Sequence, residues 1–197
     1  MGLLSIDRIL PSGLRPAAAA ACFAAALCAG TSAHADEPGL LRRPDAVFVQ
    51  VGIGEHVKSM TIGAVWDWEW KRSHRAGLLT GYTEISVGQW RVREGGDERY
   101  STQFGITPAL RLYPAGVAYG WFVEGGIGAN AISPTYRNGS DRFSSVFNFG
   151  DHLGVGRRFG TQGQHEIGLR VQHFSNCGLD TPNPGENFVQ LRYTQRF

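Results

Sequence analysis

Cysteine is nearly absent from this chain. The three present are Cys22, Cys28 and Cys177, and the first two lie in an N-terminal apolar run. Loss of that run leaves one thiol, so no disulfide framework holds the fold together. Lysine is scarcer still, since beyond residue 35 only Lys58 and Lys71 accompany fifteen arginines. Charge of one sign is not in excess. Without Arg8, Arg15 and Asp7 in the first 35 residues, 17 Lys+Arg face 16 Asp+Glu. The basic residues are scattered rather than clustered, which excludes a nucleic-acid partner. No stretch reaches the ~20 apolar residues of a membrane helix, and nothing after residue 36 keeps a 3.6-residue period. His56, His74, His152 and His165 have no ligand partners at metal spacing, so no metal is expected. The glycines near Gly52, Gly126 and Gly154 lack the strand-to-helix setting of a phosphate loop and read as wall curvature, so no cofactor is expected either.

Arg8 and Arg15 precede the apolar segment Ala17–Ala29, and Ala33-His34-Ala35 forms an A-x-A cleavage site. Residues 1–35 therefore read as a cleaved secretory signal peptide and 36–197 as one exported domain. Cys28 makes a poor lipoprotein box, because Ala25 stands three residues before it.

Alternation over about ten residues recurs along that domain. Val47, Val49, Val51 and Ile53 share one parity, as do Ile62, Ala64, Trp66 and Trp68, then Phe104, Ile106, Leu110 and Leu112. Trp121, Val123 and Ile127 follow, then Phe147, Phe149, Leu153 and Val155, then Ile167, Leu169 and Val171, and last Val189, Leu191, Tyr193 and Phe197. Gly77 to Val92 is extended with ambiguous parity, which makes eight strands. The opposite parity is small or charged, with Asp67, Gln103, Arg111, Glu124, Glu166, Arg170 and Arg192 among it. Apolar-out, polar-in alternation predicts an all-β fold, an eight-stranded antiparallel transmembrane β-barrel in the bacterial outer membrane. Eight strands leave a lumen that side chains fill, with the buried Arg and Glu paired inside it. Because alternation does not tell inside from outside, the competing expectation is a secreted ligand-binding barrel of lipocalin type. The terminal Phe197, which resembles the assembly signal of outer-membrane proteins, favours the membrane form.

The seventh strand carries the candidate chemistry. Continuing Ile167, Leu169 and Val171 by twos gives His173 and Ser175, so an imidazole and a hydroxyl emerge side by side on the apolar, outward face. Polar groups on that face are functional candidates. The loop Cys177–Gly185 follows with Asp180, and Glu186 opens the last strand, so a hairpin returns an acid to their level. These are the parts of a Ser-His-acid hydrolase. His152 has lumen parity and reads as a satisfied interior group, whereas Asp151 takes the outward parity, which calls for a local bulge.

The run His173-x-Ser175-Asn176, the Pro-Asn-x-Gly turn at Pro182–Gly185 and an acid just before the last strand resemble the PagL-type lipid A 3-O-deacylases of Gram-negative outer membranes. The resemblance implies an outer-membrane serine esterase that hydrolyses the ester-linked acyl chain at the 3 position of lipid A. Ser175 would be its nucleophile, His173 the base, Glu186 the orienting acid and Asn176 an oxyanion contributor. Its partners would be lipopolysaccharide and outer-membrane lipid, with Arg137 or Arg142 set to hold lipid phosphates, and a homodimer stays open. The His-to-Glu spacing is one residue shorter than in the family form, and Glu186 has lumen parity while Asn187 has the outward one. A bulge would re-aim Glu186, with Asp180 as the reserve acid. A non-enzymatic adhesin or structural barrel, or another membrane esterase or acyltransferase with the same triad, are the competing expectations.

Overall fold

The structure, a computed structural model, describes residues 42–197 except His56, 95–96, 134–136 and 139–140. The expected signal peptide and its cleavage site lie outside the described residues, as does His56. Ten strands run in chain order: β1 (Ala46–Ile53), β2 (Val57–His74), β3 (Gly77–Glu94), β4 (Asp97–Tyr113), β5 (Gly120–Ser133), β6 (Arg137–Asn138), β7 (Asp141–Arg142), β8 (Phe147–Phe159), β9 (His165–Ser175) and β10 (Glu186–Arg196).

Eight of them close an antiparallel barrel in the order β1-β10-β9-β8-β5-β4-β3-β2, and β6 pairs with β7 in a separate hairpin. Seven of the eight long strands carry the expected alternation and β3 is the one whose parity the sequence leaves ambiguous, while the β6–β7 hairpin, two residues a side, is too short to leave a period. Closure comes from β1 against β10, where Ala46 faces Arg196 and Ile53 faces Val189. Among the described residues the eight-stranded barrel therefore has no unpaired edge of its own, as a membrane barrel requires.

Burial alternates residue by residue in β1 and almost so in β10. Val49, Ile62, Ile106, Leu153, Leu169 and Leu191 are among the exposed outward side chains. The strand of ambiguous parity, β3, turns Tyr82, Glu84, Ser86 and Trp90 inward. Two large aromatics on its polar side are what blurred the pattern.

The lumen is filled. Arg111 holds Glu124 at 2.8 Å and Glu166 at 3.0 Å, while Arg170 holds Glu124 at 2.7 Å and Glu84 at 3.2 Å. Arg192 reaches Glu84 at 2.7 Å, and Arg196 reaches Glu166 at 3.1 Å and also Asp67. Charges this deep persist only when paired and hydrogen-bonded, and the Tyr82 hydroxyl adds a donor to Glu124. Above this layer Trp90, Phe174, Phe188 and Phe143 form an apolar plug with Val57, Val92 and Ile132. His152 lies inside, as its parity requires. It is not satisfied as expected, because neither ring nitrogen has a hydrogen-bond partner among the described residues. The surrounding Arg and Glu groups bond one another instead.

Two ends are distinguished by their connections. Both strand termini of the closure, Ala46 and Arg196, lie at the end with the connections 75–76, 114–119 and 160–164. The longest connections, 134–146 and 176–185, lie at the other. Outer-membrane barrels keep short turns on the periplasmic side and longer loops outside, so the β9–β10 loop is at the outer end.

Candidate active site

The β9–β10 register decides which side chains meet. Asn187 pairs with His173 and Glu186 with Phe174, and the ladder continues unbroken to Gln195 opposite His165. Opposed residues in an antiparallel pair point to the same face, so Asn187 shares the outward face of His173. Its side-chain oxygen lies 2.8 Å from His173 Nδ1. Glu186, expected in that place, is turned with Phe174 toward the lumen. The bulge invoked to re-aim it is absent from the register, and its Oε1 lies where a Cβ on Gly54 of the β1–β2 connection would stand. Asp180 is engaged locally, its carboxylate accepting the Thr181 N–H at 2.8 Å.

Ser175 follows His173 by two residues on β9, and the inward Phe174 between them anchors the strand. Its ring meets Trp90 at 4.8 Å and Phe188 at 5.8 Å. Although outward in parity, Ser175 is only 9% exposed, and its neighbour across β8 is Phe149. Among the described residues its hydroxyl makes no hydrogen bond to the imidazole. Because Nδ1 faces Asn187, Nε2 is the ring nitrogen left for it. Catalytic hydrogen bonds of this kind often tighten only when substrate is bound.

The loop is knotted by Asn176, which is fully buried. Its side-chain N–H groups go to Ser144 Oγ at 2.8 Å and the Asp180 carbonyl at 3.0 Å, and its oxygen accepts the Gly178 N–H at 2.9 Å. Its backbone N–H donates to Asn183 Oδ1 at 3.0 Å. No side-chain donor remains for an oxyanion, so in this geometry Asn176 shapes the loop. Gly185 then brings the turn against the imidazole. Its φ is +74°, and a Cβ there would lie 2.6 Å from His173 Cε1. Sequence reading missed Asn187 and Asn183 as site residues. The outward parity of the first and the motif position of the second were the available signals.

On the β8 side the residue opposite His173 is Asp151, with the register continuous on both flanks, so no bulge accounts for it. It is exposed on the outward face. Below lies an apolar field in which Val171 stands between Leu153 and Val189, and Leu169 between Val155 and Leu191. Arg137 and Arg142 pair across the β6–β7 hairpin, within the long connection at the same end.

This geometry places a serine hydroxyl and an imidazole held by Asn187 above an apolar wall. The lipid A 3-O-deacylase (PagL) family matches residues 59–196. The chain belongs to the PagL family. It is 33% identical over 153 residues to the lipid A deacylase PagL of Bordetella bronchiseptica, covering 77% of this chain and 83% of that one. Identity to the Pseudomonas aeruginosa lipid A deacylase PagL is 37% over 146 residues, covering 71% and 79%. The crystal structure of the outer membrane enzyme PagL superposes with a TM-score of 0.67 at 30% identity, over 77% of this chain and 99% of that one. The protein is thus an outer-membrane ester hydrolase of PagL type. The PagL span contains all of the candidate site residues from His173 to Asn187.

Proposed function

We propose that this protein hydrolyses the ester-linked acyl chain at the 3 position of lipid A, with Ser175 as nucleophile and His173 as base on a lipid-facing wall. The observation that carries the reading is the shared outward face of His173 and Ser175, directly above the apolar field of Val171, Leu153 and Val189, in a chain of this family. An acyl chain in the outer leaflet lies along that field with its ester at the level of β9's last residues, so the lipid need not leave the membrane.

Ser175 Oγ attacks the ester carbonyl carbon while His173 Nε2 takes its proton. The tetrahedral intermediate collapses, and the imidazolium returns the proton to the departing sugar oxygen, leaving an acyl-serine and a free 3-hydroxyl. Water, deprotonated by the same nitrogen, then releases a fatty acid and restores Ser175. Glu186, the acid such a scheme calls for, stands one register position from the ring, opposite Phe174. Asn183, Asn176 and Gly185 fix the loop that backs the imidazole.

Mass spectrometry of lipid A from a Gram-negative host expressing the protein tests this. The wild type removes one acyl chain and Ser175→Ala removes none, although both fold. Unaltered lipid A from cells with folded wild-type protein would refute the reading. Transfer of the chain to another lipid, with no free fatty acid, would replace hydrolysis by acyl transfer.

A further inference from the structure

His173 occupies the middle of a row of three on the outward face. Asn187 of β10 is opposite on one side and Asp151 of β8 on the other. Directly opposed side chains in antiparallel strands have Cβ atoms ~4.5–5.5 Å apart, so both flank the ring. The Asn187 oxygen, 2.8 Å from Nδ1, can only accept. The proton must then sit on Nδ1, which leaves the Nε2 lone pair facing the side where Ser175 emerges. A carboxylate in the place of Asn187 would select the same tautomer and would also stabilise the imidazolium as it forms. An amide does the first and not the second. Glu186 has inward parity, so its charge is on the other side of the sheet. Among the described residues, Asp151 is the charged group that faces His173 from β8. From β10 the ring is faced by the neutral Asn187, and from the loop by Gly185.

We propose that Asn187 is the positioning residue of His173, and that Asp151 supplies from the opposite flank the negative charge that a carboxylate third member would have carried. Tautomer selection and charge stabilisation, joined in one residue in a Ser-His-acid site, are here divided between two strands. The division explains an exposed aspartate on an otherwise apolar stretch of β8, which no structural contact accounts for.

The kinetic part of the inference rests on the ester-hydrolase reading, whereas its spectroscopic part does not. Nitrogen-15 NMR of histidine-labelled protein in detergent, with His173 assigned by His173→Gln, should show Nδ1 protonated in the wild type. In Asn187→Ala the ring should become a mixture of tautomers. In fatty-acid release from lipopolysaccharide, Asn187→Ala should lower kcat at least ten-fold with KM little changed, and Asn187→Asp should restore it. Asn187→Asp adds a second anion beside the ring, which favours the imidazolium. The acid limb of the kcat profile, where the neutral base is lost, should then move to higher pH by about one unit. Asp151→Asn removes an anion and should move the same limb to lower pH. A wild-type tautomer and kcat in Asn187→Ala would overturn the role of Asn187, as would loss of the tautomer in Glu186→Gln instead. An unmoved limb in Asp151→Asn would overturn the role of Asp151. A wild type that holds the expected tautomer yet releases no fatty acid supports the placement of Asn187 and refutes the proposed substrate.

Discussion

Replacing Gly185 by alanine asks how closely the β9–β10 turn is fitted to the imidazole. Two effects arise, and a second glycine separates them. At φ +74° any Cβ crowds its own backbone, which costs ~1–2 kcal/mol. Gly178, at φ +77°, has nothing within 4 Å, so Gly178→Ala suffers this strain alone. At Gly185 the new Cβ would also stand 2.6 Å from His173 Cε1, where ordinary contact begins at 3.4 Å, a shortfall of 0.8 Å. The turn is held by the Asn176–Asn183 hydrogen bond, so the ring is the part that yields. Displacement of a catalytic group by about 1 Å costs ~100-fold in rate. Both variants should lose similar stability in urea titrations followed by tryptophan fluorescence. Only Gly185→Ala should lose about two orders of magnitude in kcat for fatty-acid release in lipopolysaccharide–detergent micelles. Equal kcat in the two variants would refute the reasoning, since the ring would then not rest on the turn.

Glu124→Gln leaves Arg111 and Arg170 without their shared carboxylate in the lumen and should cost ~3–5 kcal/mol of unfolding free energy. Glu98→Gln, which breaks the exposed pair with Arg93, should leave the urea midpoint close to that of the wild type, and equal midpoints for the two variants would show that water reaches the lumen charges. Asn176→Ala removes three side-chain hydrogen bonds at ~1 kcal/mol each and should expose 176–185 to limited proteolysis, with an unchanged cleavage rate counting against the loop-knot role. In a Cys177→Ala background, cysteine at position 169 or 171 should react with a lipid-phase label and resist an aqueous one. The reverse pattern would turn the barrel inside out. The outer-membrane form should begin at Asp36 in an N-terminal mass measurement, whereas retention of Ala35 would place processing elsewhere.

The barrel was legible wherever apolar residues recur at every second position on one face, as Val47, Val49, Val51 and Ile53 do in β1 and Val189, Leu191 and Tyr193 in β10. It was not legible in β3, because Tyr82, Trp90 and Val92 fill the lumen with apolar bulk and mimic the outward face. His173 and Ser175 could be placed by counting in twos along one strand. The residue opposite His173 could not, since it depends on register across a loop of ten residues, 176–185, and a slip of one residue exchanges Glu186 for Asn187 and inside for outside. The carboxylate was the chemically natural candidate, and parity alone argued for its neighbour. Asn176 was singled out for its type and place in the motif. That its donors are consumed by Ser144 and Asp180 follows from contacts 32 and 4 residues away, which no local pattern encodes.

The packed interior sets how the protein bears on the barrier it sits in. Glu84, Glu124, Glu166 and Asp67 are interlocked with Arg111, Arg170, Arg192 and Arg196 across the barrel, under a lid of Trp90, Phe174 and Phe188. Among the described residues, a hydrated ion entering the lumen would have to prise apart pairs whose separation costs several kcal/mol. In a planar bilayer the protein should therefore add no conductance. A cell can raise the number of copies, and with it the rate of chemistry on its surface, without making the outer membrane leakier to solutes.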